Sequence, residues 1–147
     1  MSRQFRKADQ HPYRIFEHTA DLGMEVYGKT MADLFRNAAC ALAETLTDRS
    51  RVEGRVSKEI AAEGSDREEL FVNFLREIVA LFNGDEWVVK ECMIHSVDNT
   101  RLHATVTGEP FSRERHTIEV EIKAVTYHHV EVRSTPQGWV GTVICDV

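Results

Sequence analysis

The spacing of apolar residues predicts two amphipathic helices. Thr30 is followed by apolar residues at three- and four-residue steps, the period of one helix face, and its hydroxyl is suited to cap the first turn. These positions are Met31, Leu34, Phe35, Ala38, Ala39, Leu42 and Leu46. A stronger stripe follows a predicted capping box in which Ser65 or Asp66 is followed by Glu68 and Glu69. Its positions are Leu70, Phe71, Phe74, Leu75, Ile78, Val79 and Phe82. Asn83-Gly84 predicts a left-handed end to this helix.

Most of the remaining chain alternates in polarity or is rich in β-forming residues, which predicts strands. The predicted strands are residues 13–16, 22–27, 52–62, 87–97, 101–107, 117–127, 128–133 and 139–147. Short turns, as at Pro136-Gln137-Gly138, make neighbouring strands antiparallel. Two helices cannot cover both faces of so many strands. We therefore expect an α+β domain of largely antiparallel β-sheets, with the two helices packed on one side.

Composition narrows the class of protein. The chain has 147 residues, 42% of them hydrophobic, which suits one globular domain. Residues 1–12 lack periodicity and are predicted to be a mobile N-terminal arm before a single domain over residues 13–147. No apolar stretch reaches membrane-spanning length, and no secretory signal is recognisable, so neither a membrane nor secretion is expected.

Charge and cysteine content exclude further classes. The net charge of −6, from 24 acidic and 18 basic residues, repels phosphate backbones and disfavours stand-alone nucleic-acid binding. Cys40, Cys92 and Cys145 are odd in number and widely spaced, with no Cys-x-x-Cys pair. This pattern argues against a disulfide framework and a zinc knuckle, and it indicates a reducing, cytoplasmic location.

Two acidic residues stand in unusual contexts. Asp21 lies between two predicted strands, while Asp146 shares a strand face with the apolar positions 140 and 144 and precedes Val147. An acid on an apolar face is unfavourable unless it is paired or binds metal. If the two ends of the chain meet, Asp21, Asp146 and a terminal carboxylate on Val147 form a hard-cation site. The alternatives are an Asx-turn role for Asp21 and a frayed strand end at Asp146.

The stretch from Gly23 to Thr30 satisfies the bare pattern of a phosphate-binding loop. Its four intervening residues, Met24-Glu25-Val26-Tyr27, are typical of a strand rather than of a small flexible loop. A nucleotide-binding module is therefore the weakest of the functional hypotheses.

Four segments in order resemble the archease family, and the resemblance spans residues 13–147. They are Glu17-His18-Thr19-Ala20-Asp21-Leu22-Gly23, Tyr27-Gly28-Lys29-Thr30, Arg115-His116 leading into Ile122-Lys123-Ala124-Val125-Thr126-Tyr127-His128, and Cys145-Asp146-Val147. The resemblance implies a protein that is not an enzyme but activates another. The implied partner is the GTP-dependent RNA ligase of the tRNA-splicing (RtcB) class, whose guanylylation and multiple turnover it promotes. RNA would then be contacted only indirectly.

The same resemblance implies a divalent metal, calcium, bound by Asp21, Asp146 and Val147. The positions implied to support this site or to contact the partner are Glu17, His18, Arg115, His116, Lys123, Tyr127 and His128. For Lys123 the alternative is a lysine that simply faces solvent, and for His18 a hydrogen-bonding loop residue.

A second functional hypothesis is a small metal-dependent hydrolase. In it, Asp21 and Asp146 hold a cation that activates water, and Lys123 or His128 serves as acid or base.

Overall fold

The computed structural model describes residues 12–17 and 21–147. Within these ranges the elements are β1 (Tyr13–Glu17), β2 (Asp21–Gly28), α1 (Met31–Leu46), a 3₁₀ helix (Arg49–Arg51), β3 (Val56–Glu63), α2 (Arg67–Asp85), β4 (Trp87–Val97), β5 (Arg101–Pro110), β6 (Ala124–Thr135) and β7 (Gly138–Asp146). Except for Pro12, the predicted N-terminal arm lies outside the described residues, and so does His18.

The strands form two antiparallel sheets with the helices between them. The four-stranded sheet has the order β1-β2-β7-β6, and the three-stranded sheet has the order β3-β5-β4. Both helices contact strands of both sheets, so each sheet turns one face to the helices. The prediction of an α+β domain with antiparallel sheets and helices on one side of the strands is confirmed.

The centre of the core lies where the two helices meet. Phe35 of α1 contacts Phe71 of α2 edge to face, with 5.1 Å between ring centroids, and Phe74 at 5.8 Å. All three side chains are fully buried. Such an aromatic cluster contributes most of its stability through burial, with edge-to-face geometry adding about 1 kcal/mol.

Local hydrogen bonds explain where the helices begin. The Thr30 hydroxyl accepts the N–H of Asp33 at 3.0 Å, as predicted. At α2, the Asp66 carboxylate accepts the N–H of Glu69 at 2.8 Å, and the Glu69 carboxylate accepts the N–H of Ser65 at 2.6 Å. The predicted capping box is therefore confirmed.

The predicted end of α2 at Asn83-Gly84 is wrong by two residues. The helix continues to Asp85, and the left-handed residue is Glu86, with φ of 52°. The Asn83 side-chain amide instead donates to the carbonyl oxygen of Ile122 at 3.0 Å.

Some predicted strand boundaries are also wrong. Residues 111–123, here called the crossover segment, form no strand, and β6 begins only at Ala124. β6 also continues through the predicted break after Tyr127, with an irregularity in its pairing between Thr126 and Glu131. Strand β3 begins at Val56 rather than at residue 52, because Val52 caps the preceding 3₁₀ helix and the Glu53 N–H donates to the Glu109 side chain instead of a strand.

No helix in the described part of the chain combines the length and apolar character needed to cross a membrane.

Candidate functional site

The structure brings Asp21 and Asp146 together at one end of the four-stranded sheet. Asp21 is the first residue of β2, Asp146 is the last of β7, and the two are directly opposed Cα partners in the antiparallel ladder. Directly opposed residues project their side chains from the same face of a sheet. Asp21 is half-buried and Asp146 is exposed, so both can be reached from solvent.

Strand alternation places this pair on the outer face, away from the helices. The next residues inward, Leu22 and Cys145, are opposed to each other and buried in the core. Beyond them Gly23 pairs with Ile144, again on the outer face, and Phe16 of β1 is opposed to Gly23. A Cβ at Gly23 would lie 2.1 Å from the Phe16 ring, so only glycine permits the ring to cover this position. The carboxylates therefore stand beside an apolar row.

Strand β6 lies next to Asp146, on the side of β7 away from β2. Ala124 is the Cα partner of Asp146, and the Lys123 N–H donates to the Asp146 carbonyl oxygen at 2.9 Å. The Lys123 side chain is exposed. Because alanine is small, the face beside Asp146 stays open to an approaching group.

Tyr127 and His128 lie farther along β6. The Tyr127 hydroxyl donates to the Asn73 side-chain oxygen at 3.2 Å, and its ring lies 4.7 Å from the Arg76 guanidinium. Tyr127 is thus directed to α2. His128 is exposed, and its N–H donates to the Thr126 hydroxyl at 3.2 Å.

Two further predicted positions, Glu17 and Val147, lie in or beside the same sheet. Glu17 belongs to β1, where it is opposed to Leu22. Val147 is half-buried and packs against the core. Its role as a carboxylate ligand stays a prediction.

Arg115 and His116 bind a buried acid that the sequence analysis missed. Both side chains donate to the carboxylate of Glu109, and the His116 Nε2 lies 3.0 Å from Glu109 Oε2. The hydrogen bond from Arg115 lowers the pKa of Glu109 to about 2. With 3% exposure, His116 is packed inside the domain rather than presented to a partner. No local signal marks Glu109, since Gly108-Glu109-Pro110 has the composition of a loop.

Hydrogen bonding also defines the state of His116. Its Nδ1 accepts the N–H of Ser112 at 2.9 Å. The proton of a neutral ring must then reside on Nε2, which donates to Glu109. His116 is therefore assigned as the neutral Nε2–H tautomer.

The donor set at Asp21 and Asp146 suits a hard cation. Among the side chains that the structure describes, those of residues 12–16 and 21–147, no group of three or more His, Cys, Asp or Glu is arranged to hold a metal ion. The pair thus offers carboxylate oxygens but only part of the six to eight ligands that calcium takes. Cys145, a soft ligand in a neighbouring position, is buried on the opposite face. The site fits a hard cation that draws its other ligands from main chain, water or a partner.

The phosphate-loop pattern has a different explanation. Residues 23–28 lie inside β2, so their main-chain groups belong to a strand and do not converge on an anion. A Cβ at Gly28 would lie 2.3 Å from the Leu34 nitrogen in the first turn of α1. Gly28 therefore allows the strand to end close against the helix.

Fold and site together define a small two-sheet α+β domain with an open carboxylate pair at one end. The chain belongs to the archease family, since the model of the Archease protein family (MTH1598/TM1083) matches residues 13–147. It is 34% identical over 139 residues to the protein archease of Methanosarcina acetivorans, covering 92% of this chain and 95% of that protein. It is 31% identical to the protein archease of Pyrococcus abyssi, covering 90% of this chain and 96% of that one.

Solved structures agree with the fold. The solution structure of protein 1598 of Methanobacterium thermoautotrophicum superposes with a TM-score of 0.76 at 30% identity, covering 93% of this chain and 99% of that one. The crystal structure of an archease, possible chaperone, from Thermotoga maritima superposes with a TM-score of 0.64. At 22% identity, over 90% of this chain and 94% of that one, it supports the fold alone.

Proposed function

We propose that this protein is a non-catalytic accessory protein that activates the GTP-dependent RNA ligase of tRNA splicing and RNA repair. It acts through a divalent cation, calcium, held by Asp21 and Asp146. The observation that carries the proposal is the direct opposition of these two residues across β2 and β7. Membership of the archease family supports the choice of partner.

Electrostatics at this end of the domain support a cation. Like charges directly opposed in an antiparallel pair destabilise it, and a bound cation removes that repulsion.

The proposed roles of the residues follow from their positions. Asp21 and Asp146 hold the cation at one end of the four-stranded sheet, where its remaining coordination positions are open to oxygen ligands of the partner. Lys123 is tied to Asp146 through its main chain, and its exposed side chain offers a positive charge to the same partner. With a net charge of −6, the protein contacts RNA through the ligase rather than directly.

The test combines calcium titration calorimetry with a multiple-turnover ligation assay containing ligase, GTP and RNA. Asp21→Asn and Asp146→Asn are expected to lose calcium binding and ligase stimulation. Asp33→Asn is the matched control, because Asp33 is an exposed acid in the first turn of α1. Full stimulation by both site variants would refute the proposal.

An assay of the protein without the ligase distinguishes the hydrolase hypothesis from the proposed function. Incubated with RNA or nucleotides and calcium, the protein is expected to leave both intact. Cation-dependent hydrolysis that is absent in Asp21→Asn would favour the hydrolase.

A further inference from the structure

We infer that Glu109 is a positioning residue for the cation site, acting through the crossover segment on Lys123 and Asp146. Glu109 lies near the end of β5 in the three-stranded sheet, and the segment leads from there to β6 in the other sheet. The inference rests on the proposed function, because its decisive measurement is cation binding by Asp21 and Asp146.

Glu109 anchors the beginning of the segment. It is 1% exposed, and a buried carboxylate is tolerated only with charged or hydrogen-bonding partners. Two of its donors, Arg115 and His116, belong to the crossover segment. The N–H of Glu53 donates to it at 2.8 Å, and Arg55 lies at 3.5 Å. The acid thus joins the crossover segment to the chain before β3.

Beyond this anchor, separate contacts hold the segment instead of a strand ladder. The Phe111 N–H donates to the Glu86 carbonyl oxygen at 2.7 Å, and the Phe111 ring packs on Phe82. The Glu119 N–H donates to the Leu46 carbonyl oxygen at 2.7 Å. These contacts are with the C-terminal ends of α2 and α1, and together they set the path of the segment.

The final contact is at the cation site itself. The Lys123 N–H donates to the Asp146 carbonyl oxygen, where β6 begins its pairing with the end of β7. Strand ends fray when they are not tied. The crossover segment therefore ties the end of β7 on the side where β6 begins, and releasing the segment at Glu109 loosens the end of the strand that carries Asp146.

The experiment uses Glu109→Gln in the full chain, which keeps the side-chain shape and removes the charge. Hydrogen exchange is measured across residues 111–123 and at the end of β7, and calcium affinity is measured by calorimetry under conditions where the protein stays folded. We expect exchange at Glu119 and Lys123 to accelerate while exchange in the middle of α1 is unchanged. Calcium should bind about tenfold more weakly, the size of effect seen when groups supporting metal ligands are removed.

Glu59→Gln is the matched control. Glu59 also binds a histidine, His103, at 2.7 Å and the Thr105 hydroxyl at 2.8 Å. It is exposed on the three-stranded sheet, and its contacts lie outside the crossover segment. This variant should match the unmodified protein in calcium affinity and in exchange at Glu119 and Lys123.

Unchanged calcium affinity in Glu109→Gln would overturn the inference, whether or not exchange accelerates. If that variant fails to fold, Arg115→Met removes one donor from a partly exposed position and must weaken calcium binding in the same direction. Asp21→Asn in the same titration separates the two proposals. If Asp21→Asn also binds calcium normally, the proposed function fails. If Asp21→Asn loses calcium binding but the Glu109 and Arg115 variants bind calcium normally, only this inference fails.

Discussion

Asp21 and Asp146 face each other across the ladder between β2 and β7, each at the end of its strand. The pair cannot separate by a shift in register, because the neighbouring pair, Leu22 and Cys145, is buried in the core. A one-residue slip would move these apolar side chains to the outer face. The fold therefore holds two acids together, and a cation is the simplest compensation.

Because the two acids face each other, Asp146→Asn should raise the stability of the protein without calcium and lower its relative stability with calcium. In chelator, the variant should be more stable by about 0.5 kcal/mol, because a like-charge cross-strand pair is removed. With calcium at about ten times its dissociation constant, the unmodified protein should gain about 1.4 kcal/mol and the variant little. Denaturant unfolding of both proteins in each buffer measures the free energies. An equal response to calcium would contradict a shared site.

A second prediction concerns acid stability. The hydrogen bond from Arg115 lowers the pKa of Glu109 to about 2, below its ordinary value of 4.5. A lowered folded-state pKa stabilises the protein above the unfolded-state pKa, and this contribution is lost as the pH falls from about 4.5 towards 2. Glu109→Gln should cost about 3 kcal/mol at neutral pH, because it breaks a buried charged pair. The free energy of unfolding of this variant should also fall less steeply as the pH is lowered than that of the unmodified protein.

Unfolding curves between pH 7 and pH 2 for the unmodified protein, Glu109→Gln and a control variant at an exposed acid of α2, Glu77→Gln, check this prediction. Parallel acid profiles for the unmodified protein and Glu109→Gln would contradict it.

The helices were predictable because their signals are local. Both apolar stripes and the caps at Thr30 and Asp66 depend on residues within a few positions of each other. Strand alternation likewise predicted that Asp146 shares a face with apolar positions of β7. The opposition of Asp21 to Asp146 was expected only if the chain ends met, since sheet order depends on contacts between distant segments.

The crossover segment shows why alternating apolar and polar residues are not enough to predict a strand. Ile118, Val120 and Ile122 alternate as a strand would, yet the segment's hydrogen bonds go to separate groups, among them Leu46 and Asp146. Strand formation requires a neighbouring strand with free main-chain groups, which the local sequence does not reveal. Glu109 was not predicted as a buried acid because one of its donors, Glu53, lies 56 positions earlier in the chain, and Arg115 and His116 reach it only when the crossover segment folds back.

The displaced end of α2 yields a third prediction. Gly84 lies inside the helix, with no atom within 4 Å of a Cβ built there, whereas Glu86 adopts the left-handed conformation. Gly84→Ala should stabilise the protein by about 0.5–1 kcal/mol, because alanine loses less conformational entropy in a helix. Glu86→Gly should stabilise it by about 1 kcal/mol by relieving the left-handed strain.

Thermal or denaturant unfolding measures both changes. Destabilisation by Gly84→Ala would instead indicate that the helix ends at Asn83-Gly84.

The last prediction uses the buried thiols as reporters of the cation site. Burial raises the pKa of Cys40 to about 11 and that of Cys145 to about 12. Since the thiolate is the reactive form, both should react with a disulfide reagent at pH 8 only after local opening. Cys145 adjoins Asp146 at the end of β7, so calcium should slow its labelling by holding that strand end closed, while Cys40 in α1 should respond much less. Mass spectrometry of labelled peptides, with and without calcium, follows each thiol separately. Asp21→Asn should abolish the protection of Cys145, and equal protection of Cys40 and Cys145 would indicate a global effect of calcium rather than binding at the carboxylate pair.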